Sequence, residues 1–257
     1  MVGKGKAGRS YSVPALDKAL DIVELLARAP DPLTLSGIAG ALRRSTGEIF
    51  RVLRTLEARG YLAREAGDGY VLTNRLFEQG LRRPATASLL EIAYPEMRRL
   101  AAEIGQSCHV SVPSGGRMVT VARVENRGAP TFTVPIGFSM PVDESASGRV
   151  YLAFLAEEES ARRLAGVPAR RRGALRARLG AIRERGFEVA PSPGAAGITD
   201  LSFPLFEADS RPAAFLAVPV ALRGDDDREL DAIVSAVRRA ADRIDRGMAR
   251  LRRPADA

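Results

Sequence analysis

Residues 43–62 read RRSTGEIFRVLRTLEARGYL. Ser45 with Glu48 three residues on is a capping box, so a helix starts at Ser45. Gly60 suits the residue just past its end, where a left-handed conformation closes a helix. Between them Ile49, Val52, Leu53 and Leu56 follow i, i+3, i+4, i+7 spacing and form one buried stripe. The opposite side carries Thr46, Gly47, Phe50, Arg51 and Arg54. Arg51 and Arg54 are three apart and project together.

The flanking sequence decides what this helix is for. Upstream, Leu16, Leu20, Ile22, Val23 and Leu26 recur at helical spacing from Pro14 to Ala29. After the "PDP" break, Ser36 caps a short helix through Leu42 with Ile38, Ala39 and Leu42 inward. Downstream, two extended runs at 61–64 and 70–73 flank Gly67, Asp68 and Gly69, which reads as a hairpin. Helix, helix, short turn, helix and hairpin describe a winged helix-turn-helix. In that motif the N-terminal half of the second helix of the pair enters the major groove. There Arg51 can bind guanine or hold a phosphate, and Arg43 and Arg44 on the turn are placed for backbone phosphates. Ser45, Thr46, Gly47, Arg54 and, on the hairpin, Arg64 complete the expected DNA face. Phe50 either touches a thymine methyl or packs against the hairpin.

Bulk properties agree. A chain of 257 residues suggests two domains. Its net charge of +8 suggests an acidic partner such as nucleic acid, although only Lys4, Lys6 and Lys18 among 39 basic residues are lysines, an arginine bias that base composition also produces. Residues 1–83 carry 14 basic and 9 acidic side chains, so the charge is densest around the helix-turn-helix. No run of ~20 apolar residues predicts a membrane span. The basic start, "MVGKGKAGRS", leads into no apolar stretch and reads as a disordered arm over residues 1–12 rather than a secretion signal. Cys108 is the single cysteine and His109 the single histidine. That fits a reducing cytoplasm and argues against a zinc site, and nothing calls for a cofactor.

The winged domain is expected over 13–75 and linker helices, broken at "RRPAT", over 76–105. From residue 106 to 251 the pattern is that of an α+β domain with one antiparallel sheet and helices on both sides. "SCHVSVP", "SGG" and "RMVTVARVE" read as a hairpin, and "TFTVP" as a further strand. Helices follow from "ASGRVYLAFLA", at 157–164 and at 169–185. Two strands around an "EADSRP" turn precede a last helix over about 226–250. The arginines between 162 and 185 alternate with Ala, Leu and Gly, as on a solvated face rather than a second nucleic-acid site.

"ALDKALDIVELLA", "RRSTGEIFRVLRTLEARGYL", "IGFSMPVDESASGRVYLAFL" and "GITDLSFPLF", in that order, resemble the IclR (isocitrate lyase regulator) family of bacterial transcription factors. The resemblance spans about residues 13–248. It implies a winged helix-turn-helix, a linker helix and a GAF-like C-terminal domain that binds a small effector. It also implies a homodimer, or a dimer of dimers, on a palindromic double-stranded DNA operator. Two positions depart from the family pattern. Asp143 stands where members often carry His, and Asp200 where many carry Cys.

Ser145 is the expected N-cap of the next helix, whose first amides, at Ala146, Ser147 and Gly148, make an anion site. Alone that favours an organic acid. Asp143, Glu144 and Asp200 favour hydroxyls or an amine, as in a sugar or polyol, and the alternative is that Asp143 and Asp200 only accept loop hydrogen bonds. His109, Ser111, Phe132 and Ser202 join the candidate pocket, with Phe138 a further apolar wall. No catalytic residue is assigned, since no nucleophile elbow, Walker loop or dinucleotide fingerprint is present. An enzyme with an incidental helix-turn-helix is the alternative to a regulator.

Overall fold

The computed structural model describes residues 12–65, 67–82, 84–126, 128, 132–206, 212–221 and 227–251. The arm expected over residues 1–12, apart from Ser12, and the "EADSRP" turn up to residue 211 lie outside them. The chain divides into two compact units, at residues 1–86 and 87–257.

In the first unit, α1 (Pro14–Leu26), α2 (Leu35–Ala41) and α3 (Thr46–Ala58) precede β1 (Leu62–Glu65), β2 (Gly69–Leu72) and α4 (Arg75–Leu81). β1 and β2 pair antiparallel, with Ala63 opposite Val71. The core comes from the periodic positions: Ile22 and Leu26 of α1, Ile38 and Ala39 of α2, Ile49 and Leu53 of α3, closed by Leu62 and Tyr70 of the hairpin. This is the winged helix-turn-helix that the spacing predicts. One cap differs. Thr34, not Ser36, caps α2, its Oγ1 accepting from Gly37 N at 3.2 Å. Leu33 bridges to Tyr70 as a single extra rung on the hairpin, so the chain stays extended through residue 33 and the helix begins where that pairing ends.

The turn between α2 and α3 is closed tightly. Arg43 N donates to Gly40 O (3.1 Å) and Arg44 N to Ala39 O (2.9 Å), the paired bonds of a Schellman ending. Its left-handed position is filled by Arg43, at φ 52°, where glycine is the usual residue. The left-handed region costs a residue with a Cβ roughly 1–2 kcal/mol. Arg43→Gly is therefore expected to raise the thermal midpoint of the full chain by a few degrees while weakening DNA binding. A fall in the midpoint would remove the strain from this account.

The second unit begins within α5 (Pro84–Ile104). Then come β3 (Cys108–Ser114), β4 (Arg117–Val124), β5 (Ser139–Pro141), α6 (Ala146–Phe154), α7 (Glu157–Ala165) and α8 (Ala169–Arg185). β6 (Glu188–Pro191), β7 (Thr199–Phe206), β8 (Pro212–Val220) and α9 (Asp227–Leu251) complete it. The strands form one antiparallel sheet in the order β5-β4-β3-β8-β7-β6. Alternation sorts its faces. Val110, Leu201, Phe203, Leu216 and Val218 pack with Leu100 of α5 and Val237 of α9. Phe215, between Leu216 and Ala214, turns to the other face, with Val150 of α6, Leu164 of α7 and Leu179 of α8. Helices thus cover both faces, as expected for the α+β domain.

Two strands differ from expectation. Residues 132–135 of "TFTVP" are not a strand. Pro135 lacks an amide, and Phe138 N turns back to Pro135 O (3.1 Å) across Gly137 at φ 83°. That is a tight turn with glycine at its left-handed corner. It docks on β4 through Gly137 N to Thr120 O (2.8 Å), and the edge strand follows only at Ser139. β6 was not expected; at four residues it is too short to show alternation.

Candidate functional site

The first candidate surface is the outer side of α3. Ser45 Oγ accepts from Glu48 N (3.3 Å), and Glu48 Oε2 accepts from Ser45 N (3.3 Å), so the capping box is complete. Lys18 of α1 adds an ion pair to Glu48 at 2.6 Å. These partners, with the Lys18 bond foremost, hold the Glu48 carboxyl down at about 2. Ser45 thus fixes where α3 starts, and Glu48 ties that start to α1.

From that anchor Thr46, Gly47, Phe50, Arg51 and Arg54 all lie exposed. Gly47 faces open space, leaving room for another backbone. Among the described residues Arg51 and Arg43 have no ion-pair partner. Arg54 is held by Glu57 at 3.2 Å, and Arg44 leans on Asp21 at 3.6 Å. Arg64 is the most restrained. It meets Glu57 at 3.3 Å and the Tyr70 hydroxyl at 2.7 Å, and its guanidinium stacks 5.0 Å above the Tyr70 ring. Phe50 remains 44% exposed and borders a hollow shared with Arg64, Asp68 and Tyr70 of the hairpin. A phenyl ring left this open beside cations is out of place on a merely solvated face.

The second candidate is a cavity of about 230 Å³ in the second unit. It lies on the sheet face under α6. Cys108 and Val110 point into the core, so His109 and Ser111 of β3 point into the cavity. Asp200 enters from β7, and Ser145, Ala146 and Ser147 from the start of α6. Phe132 stands at the rim. The sequence also left out Met118, Thr120, Met140 and Ser192, which line it too. Thr120 faces Ser111 across the ladder through a bulge after Val110, and that slip hides the pairing from simple alternation.

Three expected pocket residues sit elsewhere. Asp143 pairs with Arg171 of α8 at 3.3 Å. Gly148 gives its amide to Ser145 Oγ (3.0 Å), and its Cα abuts Val142. Ser202 is fully buried beneath Ser147, their hydroxyls 3.0 Å apart. The arginine that holds Asp143 comes from α8, far along the chain, and no local pattern reveals it.

The polar groups that do face the cavity are unusual. His109 Nδ1 and Ser111 Oγ are buried without a hydrogen-bond partner. Burial pushes the His109 imidazole down to about 4, so it is uncharged near neutral pH. Burial pushes the Asp200 carboxyl up, against the Ser192 hydroxyl and the field of Arg149. Orphaned buried polar atoms cost about 1–3 kcal/mol each, and a ligand that satisfies them recovers part of that.

Behind the cavity, Arg149 of α6 donates to Glu188 at 2.9 Å and to Glu144 O at 3.0 Å. Arg178 and Arg185 reach the same Glu188 at 2.7 and 3.2 Å. Arg178 and Arg185, two of the arginines expected on a solvated face, do stay exposed while their guanidinium groups reach Glu188.

A family profile for the "Bacterial transcriptional regulator IclR C-terminal" matches residues 85–246, and one for the "IclR helix-turn-helix domain" matches residues 15–66. Among curated proteins the chain is 27% identical to the probable transcriptional regulator SauR of Cupriavidus necator, covering 91% of this chain and 97% of that one. It is 26% identical to the HTH-type transcriptional regulator XynR of Escherichia coli, covering 85% and 90%. A putative transcriptional regulator from Rhodococcus sp. RHA1 superposes with a TM-score of 0.76 at 26% identity over 93% of this chain and all of that one. An IclR homologue from Microbacterium hydrocarbonoxydans, crystallised with 4-hydroxybenzoate, shares the fold with a TM-score of 0.79 at 21% identity over 92% and 99%. With one profile alone matching more than half of its residues, this chain belongs to the IclR family of bacterial transcriptional regulators.

Proposed function

We propose that the protein works in the cytoplasm as a homodimer, or a dimer of dimers, on a palindromic operator, and that a small effector in the second unit sets its DNA affinity. The carrying observation is the outer side of α3: capped, exposed, and presenting Arg51 without an ion pair beside an open Gly47 and a bare Phe50. Arg51 reads a base. Arg43, Arg44, Arg54 and Arg64 hold phosphates, and Thr46 and Phe50 complete the groove contact. A dimer brings two such helices about one DNA turn apart, ~34 Å.

The cavity supports the sensing half, because its unpartnered His109 and Ser111 atoms face an apolar space sized for a small molecule. An effector shifts DNA affinity only through different affinity for two conformations, typically by ~1–3 kcal/mol of coupling. The reading assigns the second unit no catalysis. His109 is held neutral by burial rather than tuned by an acid, which supports that assignment.

Arg51→Ala tests the DNA half. On duplexes that the wild-type protein enriches from a random pool, the loss should be about 1–3 kcal/mol, with relaxed preference at one base position. On unrelated duplex the loss should be smaller. Equal losses on both would reduce Arg51 to a phosphate contact.

A further inference from the structure

The cavity asks for opposite charges at neighbouring points. Among the described residues lining it, Asp200 is the one carboxylate, and no lysine or arginine is present. A simple organic anion would face that carboxylate with no cation in the lining, the nearby Arg149 being already paired with Glu188. Yet the first turn of α6 opens into the same space, and the amides of Ala146 and Ser147 have no intrahelical acceptor. A purely cationic ligand would leave that end unmet.

Geometry places the two demands close together. Ser147 Oγ lies 3.0 Å from Ser202 Oγ, which ties the start of α6 to β7 at Ser202. Asp200 is two residues along on the same face of that strand, ~6.7 Å away. A molecule with a carboxylate and an ammonium on one carbon, making a hydrogen bond of ~2.9 Å at each end, spans a gap of that order. The register then locates its remaining atoms. Asp200 stands opposite Pro219 and Ser111 opposite Phe215 on β8, so the cavity runs on for about four residues, ~13 Å of strand, beyond the charged end. That stretch is lined by Met118, Phe138 and Met140 and carries the unpartnered Ser111 hydroxyl.

Resting on the effector reading above, we infer that the cavity selects a zwitterion of the α-amino-acid type. Its carboxylate lies on the Ala146 and Ser147 amides, its ammonium on Asp200, and its apolar side chain between Met118, Phe138 and Met140. An ammonium also meets the cost that burial imposes on the Asp200 carboxylate. His109, neutral and between the two ends, keeps an acceptor or donor for the ligand without adding charge.

The test uses the full chain and three matched sets of probes: leucine, methionine and phenylalanine, the corresponding acids lacking the amine, and the corresponding amines lacking the carboxylate. Binding is read by thermal shift and calorimetry. At least one amino acid should bind tenfold or more tighter than both of its counterparts. Asp200→Asn should abolish that preference and let the matching acid bind as well as the amino acid. If the acids bind the wild type as tightly as the amino acids do, and Asp200→Asn changes nothing, the inference fails while the effector reading stands. If an amine alone binds as well as its amino acid, the carboxylate half fails. If no probe of any set binds, the inference fails, and the effector reading is judged separately by whether any other small molecule raises the thermal midpoint of the wild type but not of Gly148→Ala.

Discussion

Glu188→Ala is expected to destabilise the protein by about 3–5 kcal/mol, the usual cost of removing one partner from a buried ion pair. Glu188 has no exposed surface, and the Arg149 side chain is only 11% exposed. Without Glu188 the Arg149 guanidinium keeps one carbonyl partner, Glu144 O, and loses the carboxylate bonded to it, with only the field of Asp200 left as counter-charge. Arg178 and Arg185, near 40% exposed, can turn to water instead. Arg178→Ala or Arg185→Ala should therefore cost far less, since each leaves Glu188 with two cations. Burial pulls the Glu188 pKa upward, but the Arg178 and Arg149 hydrogen bonds outweigh it and hold the net value down. A depressed folded pKa means that its contribution is complete above the usual carboxylate range. It is lost as pH falls through the lowered value. Urea denaturation at neutral pH measures the difference. A loss under 1 kcal/mol would show that water reaches Arg149. Arg149→Met with Glu188→Leu should recover most of the loss, because well-packed apolar residues often replace a buried pair without penalty.

Gly148→Ala should cost about 3 kcal/mol or more, at the upper end for overpacking. A Cβ there would sit 2.2 Å from Val142 O and 2.5 Å from Val142 Cα. Both are backbone atoms, so no rotamer change relieves the contact. The first turn of α6 must move away from residue 142, carrying Ala146 and Ser147 off the cavity wall and parting Ser147 from Ser202. Ligand-induced stabilisation should vanish in the same variant even where the fold survives. Gly173→Ala, on α8 with nothing within 4 Å, is the control and should be neutral or stabilising. If the two substitutions behave alike, the close approach at Gly148 is not what seats α6.

What could be read in advance follows from how local each signal is. The capping box and stripe of α3 lie within one helix, so Ser45, Glu48, Ile49 and Leu53 told their roles from spacing alone. Thr34 did not, because its capping role depends on Leu33 meeting Tyr70, a pairing 37 positions apart. Asp143 and Asp200 look alike in sequence, each an acid close to a turn. Only packing separates them: Arg171 of α8 comes up against Asp143, while alternation on β7 turns Asp200 into the cavity. The supposed strand at "TFTVP" alternated correctly, but Pro135 and Gly137 decided for a turn.

Operator recognition by this protein requires the exposed side of α3 to meet bases. A photo-reactive benzophenone side chain at position 50, in otherwise full-length protein bound to its selected duplex, measures that contact directly. Crosslinks to bases at fixed positions in each half-site are the predicted result, with none from the same group at Arg28, an exposed residue beyond the end of α1. Tight, sequence-selective binding with no crosslink from position 50 would contradict it.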